Sequence, residues 1–463
     1  MGSLTFLKKY KYAFTLILLC SGTSWAGLPG AGLPGAGLPG AGLPGAAAPA
    51  DTLALTLDQA IATALKNSYE IEIAKNNLEA NTILNNYGVA GGLPTVALNA
   101  SNTEQITQVN QKLNTGVEIN RNAAAGNNTQ ANLAVGMLLY NGKRVVATKK
   151  RLGELQYQSS EVLNSQIQNT IAMVMTSYYD VVRQLSYINT IRTSIIASEK
   201  RLEILRVRKE AGMANNADIF QAEIDLNTLN QTLLNQQMVA QVAKTELLRT
   251  LTLDPKSALT IRDTITVDNS MQLASVMDRL ASNADIKAAD HQIKINEQIV
   301  KETAALRYPT VRLNAAYNFS RNQTAAGLTL LNRVAGPQAG LTLAVPIYNG
   351  TAFKRQKQAA EIDTKTAELQ KNTLLRDYSA GAVKMYQTYQ SSIEQLENQK
   401  KNYALSKQLL DLTLQRFELI QATIIDVREA QRSFEEAGYR LINLNYAAKS
   451  AEIELKRLSN TLQ

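Results

Sequence analysis

The chain has 463 residues, a formal charge of +9, 6% aromatic residues, one cysteine and one histidine. That length suggests two or three domains, but so few aromatic residues argue against several compact cores. Basic residues are scattered among acids and glutamines with no run of five or six, which speaks for a solvated helical surface and against a nucleic-acid partner.

Residues 1-26 read as a signal peptide. Lys8, Lys9 and Lys11 precede the apolar run 13–19, and Ser24-Trp25-Ala26 offers small residues for cleavage. Its loss removes three lysines and no acid, which leaves +6. The run is too short to span a bilayer, and no later segment approaches the roughly 18 apolar residues of a membrane helix. Cys20 lies inside the leader, so the exported chain has no disulfide or thiol chemistry. Lipidation at Leu18-Leu19-Cys20 stays open, although such signals favour a small residue where Leu19 stands.

Residues 27-51 are a low-complexity linker, in which 27–46 are four copies of Gly-Leu-Pro-Gly-Ala. The literal GxGxxG at 30–35 is spurious, because no strand precedes it and proline occupies the loop. From residue 52 the chain is an internal duplication. Pro94-Thr95-Val96-Ala97-Leu98-Asn99-Ala100 recurs as Pro309-Thr310-Val311-Arg312-Leu313-Asn314-Ala315, and Tyr140-Asn141-Gly142 recurs as Tyr348-Asn349-Gly350. The first structural repeat covers 52-262 and the second 263-463.

Each repeat begins helical, at 53–88 and 271–307, until Pro94 and Pro309 break the pattern. Period-two alternation follows: Val311, Leu313, Ala315, Tyr317 and Phe319 on one face, and Leu341, Leu343, Val345 and Ile347 on a second strand. The first repeat has Val96, Leu98 and Ala100, then Leu133, Val135, Met137 and Leu139. Strands are expected at about 94-106, 130-140, 309-321 and 338-348, near the ~10 residues that cross a membrane when tilted. Tyr140 and Tyr348, at strand ends, suit an interfacial aromatic girdle.

Long helices are expected at about 142-211 and 350-419, with return helices at 214-252 and 422-461. Phe434, Ala437, Leu441, Leu444, Ala448, Ala451, Leu455 and Leu458 keep heptad spacing, as do Leu226, Leu229, Leu233, Gln236, Ala240, Ala243 and Leu247. The expected class is mainly α with a membrane β-barrel portion. Four strands cannot close a barrel, and an open edge in lipid leaves backbone groups unpaired. Two copies give an interior filled by side chains, whereas three give twelve strands and a lumen. A homotrimer is expected.

A duplicated unit of helix, two strands, long helix and return helix resembles the TolC family of outer-membrane factors over about residues 52–462. The resemblance implies a twelve-stranded outer-membrane barrel, a twelve-helix periplasmic tunnel and passive export in a tripartite efflux or type I secretion system. It implies outer-membrane lipid, a periplasmic membrane-fusion adaptor and an inner-membrane pump of RND or ABC type as partners, with no cofactor and no metal. Drugs, metals and polypeptides share such ducts, so no cargo is selected.

The family's long helices end near an aromatic- or basic-x-x-x-Gly motif with an Asp six residues later. Arg208 to Gly212, then Asp218, fits; Arg416 to Ile420, then Asp426, has isoleucine where glycine is usual. The family often has a basic residue where Ala422 stands. Gly212, Met213, Ala214, Ile420, Gln421 and Ala422 are the implied adaptor-contact tip. Asp426 and Glu429, spaced i, i+3, with Asp218 of the first turn, are the implied gate acids.

An enzyme is the first rival, but His291 has no metal-ligand spacing around it and the acid pairs lie on coiled-coil helices without a pocket. A periplasmic or surface-anchored trimeric coiled-coil scaffold or adhesin is the second, and it leaves the four amphipathic strands unexplained.

Overall fold

The computed structural model describes residues 53–462; the expected signal peptide, Cys20 and the repeat-rich linker lie outside them. The first repeat opens with β1 (Leu53–Ala54), α1 (Leu57–Asn67) and α2 (Tyr69–Leu84). Thr56 and Gln59 form a capping box on α1, and Ser68 caps α2. Then come β2 (Thr95–Lys112), β3 (Glu118–Tyr140), α3 (Arg144–Glu210) and α4 (Asn216–Thr250). The second repeat follows as β4 (Leu259–Thr260), α5 (Leu273–Arg279), α6 (Ala284–Ala305), β5 (Thr310–Thr324), β6 (Leu331–Ala344), α7 (Ala352–Glu418) and α8 (Ile424–Leu458).

Each bound of α7 and α8 lies 208 positions after its counterpart in α3 and α4, so the duplication is kept residue for residue below the strands. Both long helices have 67 residues, about 100 Å at ~1.5 Å per residue. Both are entered through two successive left-handed residues, Gly142-Lys143 and Gly350-Thr351, so they begin two residues later than expected.

The four strands form one antiparallel sheet in the order β2-β3-β5-β6. Its register gathers the apolar alternates on one face: Val96 opposite Val135, Leu98 opposite Leu133, Met137 opposite Leu313, Leu133 opposite Tyr317, and Leu313 opposite Leu341. The other face carries Asn132, bonded to Asn318 at 2.7 Å, and Asn314, bonded to Thr342 at 2.9 Å. Among the described residues the outer edges of β2 and β6 have no strand partner.

The strands differ most from expectation at four ends, one of them the start of β6, at Leu331 rather than about 338. β2 runs to Lys112 and β3 starts at Glu118, because a long polar hairpin continues beyond the apolar band. β6 stops at Ala344, so Val345, Ile347 and Tyr348 leave the ladder: Pro346 has no N–H to donate. Tyr348 therefore sits in the β6–α7 connection rather than on a strand, while Tyr140 is the last residue of β3.

Three apolar clusters hold the helices. The largest packs Val174, Tyr178 and Val181 of α3 against Ala60 of α1, Leu247 of α4, and Leu259. A second lies where α3, α4, α7 and α8 converge, and a third joins Val276 and Leu280 to Tyr389 and Leu455. Along α8 the heptad seam is real, with Phe434, Ala448, Ala451, Leu455 and Leu458 buried.

Gly142 has a φ of 66°, and a Cβ there would lie 2.6 Å from Tyr308 Cβ. Gly142→Ala should therefore cost about 2 kcal/mol, from left-handed strain plus the clash. Denaturant unfolding of the variant checks this; an unchanged midpoint would contradict the contact.

Candidate functional site

The second cluster places both helical turns at one end of the four-helix unit. Ala197, Leu202 and Leu205 of α3 and Ile219 and Ala222 of α4 pack with Leu410, Leu414 and Phe417 of α7 and Val427, Ala430 and Phe434 of α8. The Arg208 guanidinium lies 4.2 Å from the centre of the buried Phe417 ring, which joins the end of α3 to that of α7.

The first turn closes with the Gly212 N–H donating to Lys209 O at 2.9 Å and the Met213 N–H to Arg208 O at 2.7 Å, with Gly212 at φ 74°. The second repeats this: Ile420 donates to Phe417 O at 3.2 Å and Gln421 to Arg416 O at 2.8 Å, with Ile420 at φ 64°. The absent glycine thus does not change the turn; it puts a β-branched residue into a conformation that costs ~1–2 kcal/mol.

Of the six expected tip residues, Gly212, Met213, Ile420 and Gln421 are exposed, whereas Ala214 and Ala422 turn into the cluster. The sequence did not point to Phe220, Leu419 and Ile425, which are 60%, 67% and 70% exposed beside them. With Met213 and Ile420 they give this end an apolar rim, which a monomer has no reason to leave in water.

Asp426 is the third residue of α8 and completes a capping box. Its Oδ2 accepts from the Thr423 N–H at 2.7 Å and the Thr423 hydroxyl at 2.8 Å. These bonds hold its carboxyl below the ordinary range, the backbone bond most. The cap is therefore fully present at neutral pH and is lost as pH falls through that lowered value. Glu429 is exposed one turn on. Asp218 is the matching residue of α4, but there Asn215 accepts from the Asp218 N–H at 2.8 Å and the box is not reciprocated. Among the described residues no group of three His, Cys, Asp or Glu is placed to hold a metal.

A charged triad one step further in was not foreseen. Arg201 of α3 is 1% exposed; its Nη2 lies 2.9 Å from Asp225 of α4, and Nε of Arg428 on α8 lies 3.3 Å from the same carboxylate. Burial pulls the Arg201 guanidinium below its ordinary value and Asp225 pushes it back. One carboxylate thus ties three helices, and removing it would strand a buried cation, a change of the kind that costs ~3–5 kcal/mol.

Residues 276–461, which include the second strand pair, α7, α8, Asp426 and Glu429, match the family described as outer membrane efflux protein. The chain is similar to the outer membrane protein TolC of Vibrio cholerae, 23% identical over 392 residues, which cover 79% of this chain and 84% of that protein. The fold matches the outer membrane protein VceC of Vibrio cholerae with a TM-score of 0.71 at 20% identity, covering 87% of this chain and 96% of that one. It matches the outer-membrane channel OprN with a TM-score of 0.74 at 15% identity, covering 88% and 90%. The chain keeps the fold of these structures with an isoleucine in the second turn.

Ile420→Gly should raise stability by about 1 kcal/mol, since glycine adopts a left-handed φ without a Cβ penalty. Thermal unfolding of the pair checks it, and an unchanged or lower midpoint would mean that Ile420 bears no strain.

Proposed function

We propose that three copies of this outer-membrane efflux protein close a twelve-stranded barrel continued by a twelve-helix periplasmic tunnel, a passive exit duct fed by a membrane-fusion adaptor and an inner-membrane pump. The supporting observation is the apolar face in register across four strands, bounded by two edges with no partner. In lipid each unpaired group costs several kcal/mol, and only closure removes both edges.

The duplication supports the same closure. Gly142 packs on Tyr308 within the chain, whereas Gly350 has nothing within 4 Å. The residue matching Tyr308 in the first repeat is Leu93, which is 57% exposed. A neighbouring copy that sets Leu93 on Gly350, and β2 on β6, repeats between chains what the repeats do within one.

At the other end, small Gly212 and the apolar rim suit an adaptor hairpin. Asp426 and Glu429 of three chains would supply six carboxylates around one axis. A ring of six carboxylates attracts cations, whose binding relieves the repulsion within it. Export by this route involves no catalytic step.

Detergent-purified protein should run as a trimer and conduct in a planar bilayer, with current blocked by divalent cations from the side of the turns. Asp426→Asn with Glu429→Gln should weaken that block about tenfold or more; equal blocking constants would remove both residues from the gate. For the adaptor surface, Gly212→Trp should abolish export in cells at unchanged trimer level. Surviving export would place the adaptor elsewhere.

A further inference from the structure

The two repeats part company where the strands meet the helices. In the first, residues 85–94 fold as turns over the start of α3: the Lys149 ammonium binds the Asn85 side chain at 2.5 Å and lies 5.7 Å from the Tyr87 ring centre. In the second, the corresponding stretch stays helical to Ala305, and no loop covers the start of α7. What remains is a cavity of about 460 Å³ between the end of α6, the β6–α7 connection and the first turns of α7.

Its lining is cationic. Arg307, Lys354 and Lys357 face it, against a single acid, Glu361, which pairs with Lys357 at 2.6 Å. Lys357 is the counterpart of Lys149, 208 positions on, without the amide and ring that occupy Lys149. Asn349 also lines the cavity, and its Nδ2 is buried without a hydrogen-bond partner, a donor in want of an acceptor. The α7 N-terminus adds to this: Thr351 makes no side-chain cap and the first turn holds no acid, as is also the case at the start of α3. Cations at an uncapped, positive helix end need an anion.

We infer that this cavity binds the phosphate headgroup of an anionic glycerophospholipid in the periplasmic leaflet, with Arg307, Lys354 and Lys357 on the phosphate and the Asn349 amide donating to its oxygen. The inference rests on the outer-membrane placement of the sheet. In the first repeat Asn85 and Tyr87 lie on the corresponding ammonium, that of Lys149.

The test is native mass spectrometry of the delipidated, assembled protein titrated with phosphatidylglycerol, phosphatidylcholine or inorganic phosphate. Phosphatidylglycerol should saturate at one molecule per chain, and Lys354→Gln with Lys357→Gln should weaken it about tenfold or more. Lys149→Gln should leave it unchanged. Lys354→Arg with Lys357→Arg should retain binding, which separates loss of charge from a folding defect. Equal retention of phosphatidylcholine, equal loss in Lys149→Gln, or unchanged binding in the double glutamine variant would each overturn the site. Inorganic phosphate that binds and is not displaced by the lipid would make it a soluble-anion site instead. Bilayer conductance of the same preparations reports the channel reading separately.

Discussion

Backbone hydrogen bonding in a medium without water governs this molecule. Each strand must give every N–H and C=O a partner, and a single chain satisfies only the three inner seams of its sheet. The outer groups of β2 and β6 are left for the neighbouring copies of the proposed trimer. The apolar face that favours lipid thus also makes the isolated chain unsuited to it. In the proposed trimer the long helices would hang from that closure, their order following the order of the strands above them.

Duplication makes closure economical in design. One repeat meets the other through α3 and α6 as the second is proposed to meet the next chain through α7 and α2, so a single packing solution serves six junctions in a trimer. Departures from the repeat then carry information. Ile420 replaces a glycine without altering the turn, Asp426 closes a cap that Asp218 leaves open, and the start of α7 lacks the cover that α3 has.

The fold was legible wherever burial imposes a period. Leu98, Leu133, Tyr317 and Leu341 alternate because one face is apolar, and the α8 seam shows because a helix turns every ~3.6 residues. The strand ends were not legible. Beyond Ser101 the β2–β3 hairpin is largely Asn, Gln and Thr on both faces, so pairing continues with no contrast to mark it. The Arg201–Asp225–Arg428 triad was hidden for a different reason: three helices must be placed before those charges are neighbours. Ile420 was hidden because propensity points away from its conformation. The proposed gate and tip residues were suggested only through family resemblance, since an i, i+3 acid pair occurs on many solvated helices.

The central seam of the sheet joins β3 to β5, and its Asn132–Asn318 bond spans 186 residues of sequence. Between these strands lie α3, α4, α5 and α6, and the contacts of α3 with α4 are local and quick to form. During that interval the first hairpin exists with an apolar face and two unsatisfied edges, the form most prone to pairing with the wrong chain. Biogenesis therefore depends on holding one half of the sheet unpaired until its other half arrives. The long polar extension from Asn102 to Lys112 and back from Glu118 keeps the early hairpin wetted during the wait.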